Sequence, residues 1–234
     1  MHDTHQRVKS KIFRLVMKLP SQIKCVIFDM DGVIIDSEEI HKKAYYETFN
    51  SLNLTVSDAL YKSFTGSSTI NAFQKLVKHF QLNENPEDLV LDKRRRYVNF
   101  FENDPHLHLV AGVEDLIKYL YQKNITLVLA SSSAMININR VFDRFNLHQY
   151  FAAKISGADL KESKPNPEIF NKAAVLGNTP KENCVVIEDS DNGVKAANDA
   201  NIFVFGYANI LSEGQTLANA DAVIKDFKDL KSIL

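Results

Sequence analysis

Short β-branched runs alternate with helix-length amphipathic segments along most of the chain, and this alternation constrains the fold more than any other feature. The runs are Val26–Phe28, Ile125–Ala130, Lys154–Ser156, Cys184–Ile187, Ile202–Phe205 and Ala222–Ile224. Between most of them, apolar residues recur at helical spacing, notably over Val113–Lys123, Met135–Asn146, Pro167–Gly177 and Val194–Ala200. Strands separated by helices pair in parallel, and the helices cover both faces of the sheet. The pattern therefore predicts an α/β fold with a parallel sheet. Right-handed crossovers gather the loops after the strand C-termini along one edge, where ligands bind in such sheets.

One interval breaks the alternation. Residues 37–104 contain no strand-like run. Ile40, Ala44, Tyr45 and Thr48 mark one helix, Phe73, Leu76, Val77 and Phe80 a second, and Leu89–Phe101 a third. This predicts a small helical domain (37–104) inserted into an α/β core (23–36 and 105–234). An extension (1–22) precedes them. In it Val8, Ile12, Leu15, Val16 and Leu19 fall at helical spacing among Lys9, Lys11, Arg14 and Lys18, and Pro20 closes the segment. It reads as an amphipathic basic helix, either one for a partner, a membrane surface or targeting, or, the plainer reading since it lacks a signal-peptide core, one packed on its own domain.

The 234 residues carry a formal net charge of −1, so no whole-molecule field draws nucleic acid or acidic membrane. No run approaches the roughly 18 apolar residues of a membrane span. Cys25 and Cys184 each open an apolar run, the setting of buried free thiols, and nothing suggests a disulfide framework. The cytosol is the expected compartment.

Four motifs follow strand-like runs, the lysine at greater remove. Asp29-Met30-Asp31-Gly32-Val33 places two acids one residue apart at a strand end, projecting to the same side. Burying them unpaired costs several kcal/mol, which a divalent cation removes; Gly32 lets the chain turn away. A solvated acidic turn is the plainer reading. Glu188-Asp189-Ser190-Asp191-Asn192-Gly193 adds acids at the same edge, as a hard oxygen-seeking ion requires. It is no calcium loop, because Gly193 stands where a ligand belongs. Helix capping by Ser190 or Asp191 is compatible with metal binding. Lys164-Pro165-Asn166-Pro167 is a stiff loop that holds its lysine for a phosphate oxygen or for the acids, unless the lysine simply faces solvent. Ser131-Ser132-Ser133 offers hydroxyls at a helix N-terminus, for an anion or for capping alone.

All four motifs stand in the order that resembles the haloacid dehalogenase superfamily of hydrolases. More narrowly, the chain from Ile23 onward is similar to the β-phosphoglucomutase-like phosphatases with a helical C1-type cap. The resemblance implies a Rossmann-like core and a Mg²⁺-dependent phosphomonoester hydrolase working through an aspartyl-phosphate. Asp29 would be the nucleophile, and Asp31 would protonate the leaving group and then deprotonate water. Mg²⁺ would be held by Asp29, the Asp31 main-chain carbonyl and Asp189, with Glu188 close by. Ser131, Ser132 and Lys164 would bind phosphoryl oxygens. In the cap, Gly66 and Ser67 of the loop Phe64–Thr69 would meet the substrate, and Arg94 of the triplet Arg94–Arg96 would point inward. Asp36 with Glu39 resembles a capping box at the hinge, and His41 and His79 belong to the surface. The implied partner is a small sugar or polyol phosphate, acted on by a monomeric cytoplasmic enzyme with no nucleic acid or membrane partner. Mutases of the group carry a cap arginine where Thr69 stands, and polar phosphate contacts where Ala134 and Met135 stand. Hydrolysis is thereby favoured over phosphoryl transfer, the alternative activity; a non-catalytic partner-binding protein is a remoter one.

Overall fold

The computed structural model describes residues 19–64, 67–209 and 214–234, so the amphipathic segment of the first 18 residues and Gly66 lie outside it. Six strands form one sheet: β1 (Cys25–Phe28), β2 (Thr126–Ser131), β3 (Ala153–Ser156), β4 (Cys184–Glu188), β5 (Phe203–Tyr207) and β6 (Ala222–Ile224). Their order is β3-β2-β1-β4-β5-β6, and every neighbouring pair is parallel. All six correspond to the predicted runs.

The central strands are buried on both faces, which is why they read as unbroken apolar runs. Val26, Phe28, Leu127, Leu129, Val185 and Ile187 point to one side. There they pack with Leu116 of α5 (Val113–Gln122), Ile138 and Phe142 of α6 (Met135–Arg144), and Phe227 of α9 (Phe227–Lys231). Cys25, Ile27, Val128, Ala130, Cys184 and Val186 point to the other. Their partners are Ile169, Phe170 and Ala173 of α7 (Glu168–Leu176) and Val194 and Ala197 of α8 (Asp191–Asp199). Cys25 and Cys184 are register neighbours on β1 and β4, both buried and both free thiols.

Between β1 and α5 lies a helical insertion of α1 (Glu38–Ser51), α2 (Asp58–Lys62), α3 (Thr69–Phe80) and α4 (Pro86–Asn103). It has an apolar cluster of its own, with Tyr45, Phe49, Tyr61, Phe64, Phe73, Leu76 and Leu89 at its centre. Helix α2 was not anticipated, since its five residues are too short to show a period. The chain enters and leaves the insertion along one seam. Asp36 N–H donates to the His108 carbonyl at 3.1 Å and Val110 N–H to the Ile34 carbonyl at 2.9 Å. The expected Asp36 capping box is absent. Ser37 is the N-cap of α1, yet its hydroxyl makes no cap bond and instead donates to Asp31 Oδ1. Asp36 faces His108, at 3.9 Å.

Five helices end on an asparagine in the left-handed region: Asn53, Asn124, Asn146, Asn178 and Asn201, with φ between 46° and 57°. In each case the following N–H bonds back to a carbonyl of the last turn, as Leu147 does to Phe142 and Ile202 to Ala197. This closure satisfies carbonyls that a helix end leaves unpaired. Asparagine adopts the geometry at lower cost than other residues with a Cβ. Asn146→Ala is expected to destabilise the protein by about 1 kcal/mol, with Asn146→Gly near neutral. Urea unfolding measures both, and an alanine variant as stable as wild type would contradict the reading.

Candidate active site

Asp29 continues β1, its N–H donating to the Ile187 carbonyl at 3.0 Å. The chain then turns tightly: the Met30 carbonyl accepts from Ile34 N–H at 2.8 Å and from Ile35 N–H at 3.0 Å. Gly32 takes φ +80° in this turn, and a Cβ there would overlap the Asp189 carboxylate. Gly193, in the first turn of α8, is packed in the same way against the Glu188 carboxylate. Both glycines make room for an acid at the end of β4, so their small size is a requirement of the site.

Lys164 ties the acids together. Only 1% exposed, its Nζ donates to Asp29 Oδ1 at 2.6 Å, Glu188 Oε1 at 2.7 Å and the Ala130 carbonyl at 2.9 Å. All three ammonium protons are therefore used. Burial pulls its pKa down, but Asp29 and Glu188 more than reverse this, so it remains a cation. Glu188 is held at its other oxygen by the Ser190 N–H and hydroxyl, each at 2.9 Å. The Ser190 hydroxyl also accepts from Gly193 N–H, so this residue caps α8. Asp191 turns the other way, accepting from the N–H groups of Thr216 and Leu217.

Asp31 faces a different set of donors. Ser37 Oγ, His41 Nε2 at 3.0 Å and Ser133 Oγ at 2.8 Å all reach its carboxylate. Burial alone would raise the Asp31 pKa, but these donors bring it well below the usual carboxylate range. Behind His41, Lys93 Nζ donates to Nδ1 at 2.7 Å, which fixes the imidazole to donate from Nε2. Lys93 is 2% exposed, and burial pushes its ammonium down to about 7 while Asp31 and Glu38 pull it up. It also lies over the rings of Tyr45 and Tyr97.

Asp29, Asp31, His41 and Lys93 line one cavity of about 80 Å³, small against the roughly 300–1,000 Å³ of common ligand pockets. Asp29, Asp31, Ser131, Ser132, Ser133 and Asp189 form its floor from the sheet. Its remaining wall comes from the insertion, including Glu38, His41, Tyr61, Ser67 and Lys93.

A family model described as haloacid dehalogenase-like hydrolase matches residues 26–207. The chain belongs to this family. The family's relatives include the phosphorylated carbohydrates phosphatase of Thermotoga maritima, 29% identical over 86% of this chain and 93% of that protein. The β-phosphoglucomutase of Bacillus subtilis is 28% identical over 89% of this chain and 92% of its own length. Among family structures, CbbY of Rhodobacter sphaeroides in complex with phosphate superposes with a TM-score of 0.80 at 25% identity. That match covers 89% of this chain and 96% of CbbY.

Within this haloacid dehalogenase-like frame, Asp29, Glu188 and Asp189 each offer a buried carboxylate oxygen, all within 4.8 Å of one another. Three hard anionic oxygens suit a divalent cation of the magnesium type. The electrostatics point the same way. Burial pushes the Asp29 carboxyl up to about 8; Lys164 opposes this, and Glu188 and Asp31 add repulsion. A cation among the three acids would restore the ionised form.

Two sequence expectations need correction. Arg94 is half-buried but does not line the cavity; Lys93, one residue earlier, does. Arg95 and Arg96 pair with Asp92 on the outer face of α4. His41 is not a surface residue, being bonded to Asp31 inside the cavity, whereas His79 is exposed. A signal for both existed. Lys93 shares a stripe of α4 with Leu89, Tyr97 and Phe101, all buried, and His41 stands one turn before buried Tyr45 on α1. Gly32→Ala is expected to weaken Mg²⁺ binding about 10–100-fold, by displacing Asp189. Calorimetric titration with Mg²⁺ measures this, and an unchanged affinity would contradict the packing described.

Proposed function

We propose that this protein is a Mg²⁺-dependent phosphomonoester hydrolase acting on a small phosphorylated sugar or polyol through an aspartyl-phosphate on Asp29. The observation that carries the reading is a buried Asp29, bonded to Lys164 and clustered with Glu188 and Asp189, in one cavity with Asp31 and Ser131–Ser133. Residues 23–36 and 105–234 would be the catalytic core, 37–104 a cap, and 1–22 an extension.

When bound, Mg²⁺ would neutralise the acids and draw charge from the phosphoryl oxygens. Asp29, Asp189 and Glu188, with the Asp31 main-chain carbonyl, would hold it. An Asp29 carboxylate oxygen attacks phosphorus while the bond to the leaving oxygen breaks, and Asp31, which must first take up a proton against the three donors around it, gives that proton to the leaving oxygen. The Ser131 and Ser132 hydroxyls would hold the non-transferred oxygens, and Lys164 would join them by exchanging its bond to Asp29 for one to a phosphoryl oxygen. Asp31, ionised again, takes a proton from water, which attacks the same phosphorus and releases phosphate from Asp29. The three donors around Asp31 suit this second step, because they stabilise its basic form. Since His41 and Lys93 come from the cap helices, seating the cap and orienting Asp31 are one event.

Similarity to a β-phosphoglucomutase raises phosphoryl transfer as an alternative. Against it, the cavity wall carries Thr69 where a second phosphate would call for a guanidinium. Phosphate release from a panel of small phosphomonoesters, with Mg²⁺ and with EDTA, tests the reading. Release is expected with Mg²⁺ only, and Asp29→Asn is expected to fold normally and lose at least about a thousandfold in rate. Retention of more than about a tenth of the activity by that variant would falsify the nucleophile assignment.

A further inference from the structure

Glu38 opens α1, and its side chain lines the same cavity as Asp29 and Asp31. It belongs to neither the three-acid cluster nor the donors around Asp31. Its hydrogen-bond partner among the described residues is the Tyr61 hydroxyl, which donates to Oε1 at 3.1 Å. Burial pushes its carboxyl up to about 7 and Asp31 adds repulsion, while the Tyr61 bond and, at longer range, Lys93 and Lys42 hold it down, so it is an anion above neutral pH. A carboxylate has about four acceptor positions, so Glu38 presents spare acceptors to the space where the leaving group must lie. The wall around it is aromatic and hydroxylic, with Tyr45, Tyr61, Phe64, Ser67 and Thr69. Lys93, the one cationic side chain in that wall among the described residues, is occupied by His41 and by the rings of Tyr45 and Tyr97.

We propose that Glu38 selects the leaving group, accepting hydroxyls of an uncharged polyhydroxylated alcohol and repelling one that carries a second phosphate. The inference rests on the phosphatase reading above and adds to it the residue that sets the substrate class. Hydroxyl donors match the spare carboxylate oxygens. A second anion would meet like charge with no guanidinium to offset it, which is discrimination by repulsion. Tyr61 holds the carboxylate in place, so less ordering is needed when the hydroxyls bind.

The test compares kcat/KM of the full chain and of Glu38→Ala, Glu38→Gln and Tyr61→Phe, all with Mg²⁺ and above neutral pH, where Glu38 is ionised. The substrates are a set of polyol and sugar monophosphates, p-nitrophenyl phosphate, and a hexose bisphosphate. Glu38→Ala is expected to lower the ratio of the best polyol or sugar monophosphate to p-nitrophenyl phosphate by roughly 10–100-fold. Glu38→Gln keeps an acceptor but loses the charge, and should raise relative use of the bisphosphate about tenfold or more. Tyr61→Phe should lower the first ratio by a smaller factor, so a poorly folded alanine variant leaves two measurements standing. Unchanged ratios in the variants, or a wild-type preference for the bisphosphate, would overturn the role of Glu38 while leaving hydrolysis intact. Wild-type protein that releases phosphate from no compound would overturn both.

Discussion

The ammonium of Lys164, buried between Asp29 and Glu188, is the interaction on which the site depends. Four acids, Asp29, Asp31, Glu188 and Asp189, meet at one edge of the sheet. A buried charge is tolerated only when it is paired and hydrogen-bonded, and removing one partner of such a pair costs about 3–5 kcal/mol. Lys164 supplies one positive charge and bonds two of the acids directly. The balance is still negative, and this deficit makes a divalent cation the natural further component. Gly32 and Gly193 belong to the same constraint, since neither Asp189 nor Glu188 could sit where it does beside a side chain.

The topology explains why these groups meet. β1 lies between β2 and β4, so Asp29, Ser131 and the pair Glu188–Asp189 leave three adjacent strands at one edge. The strand order reverses at this point, which opens a crevice above the sheet. The chain enters the helical insertion just past the turn that holds Asp31 and leaves it beside the same turn, along the seam of Ile34–Asp36 with His108–Val110. Residues from α1 and α4 therefore reach the acids of β1 without disturbing the sheet. Ser37 shows local preference yielding to this arrangement: a good helix-capping residue gives up its cap bond to serve Asp31.

Most of the fold was legible because buried parallel strands announce themselves as apolar runs, and all six were found within two residues of their ends. The four motifs were legible because each directly follows such a run, apart from Lys164, whose loop is stiffened by Pro165 and Pro167. Residues on the insertion were harder to read. A stripe on a helix shows which face is buried, but polar members such as Lys93 and His41 resemble surface residues unless their apolar neighbours one turn away are weighed. Five-residue helices such as α2 and α9 carry no period at all. The cap of α1 was misread because Asp36 and Ser37 are both good N-caps, and the choice between them is made by Asp31, a contact beyond the helix.

The central claim is that Asp29 carries the phosphoryl group during turnover. The direct measurement mixes protein, Mg²⁺ and its preferred phosphomonoester, quenches with acid within one turnover, and maps the peptides by mass spectrometry. One phosphoryl group on the peptide containing Asp29, absent from Asp29→Asn, is the predicted result. Turnover with no label on that peptide, or with the label on Ser131 instead, would contradict it.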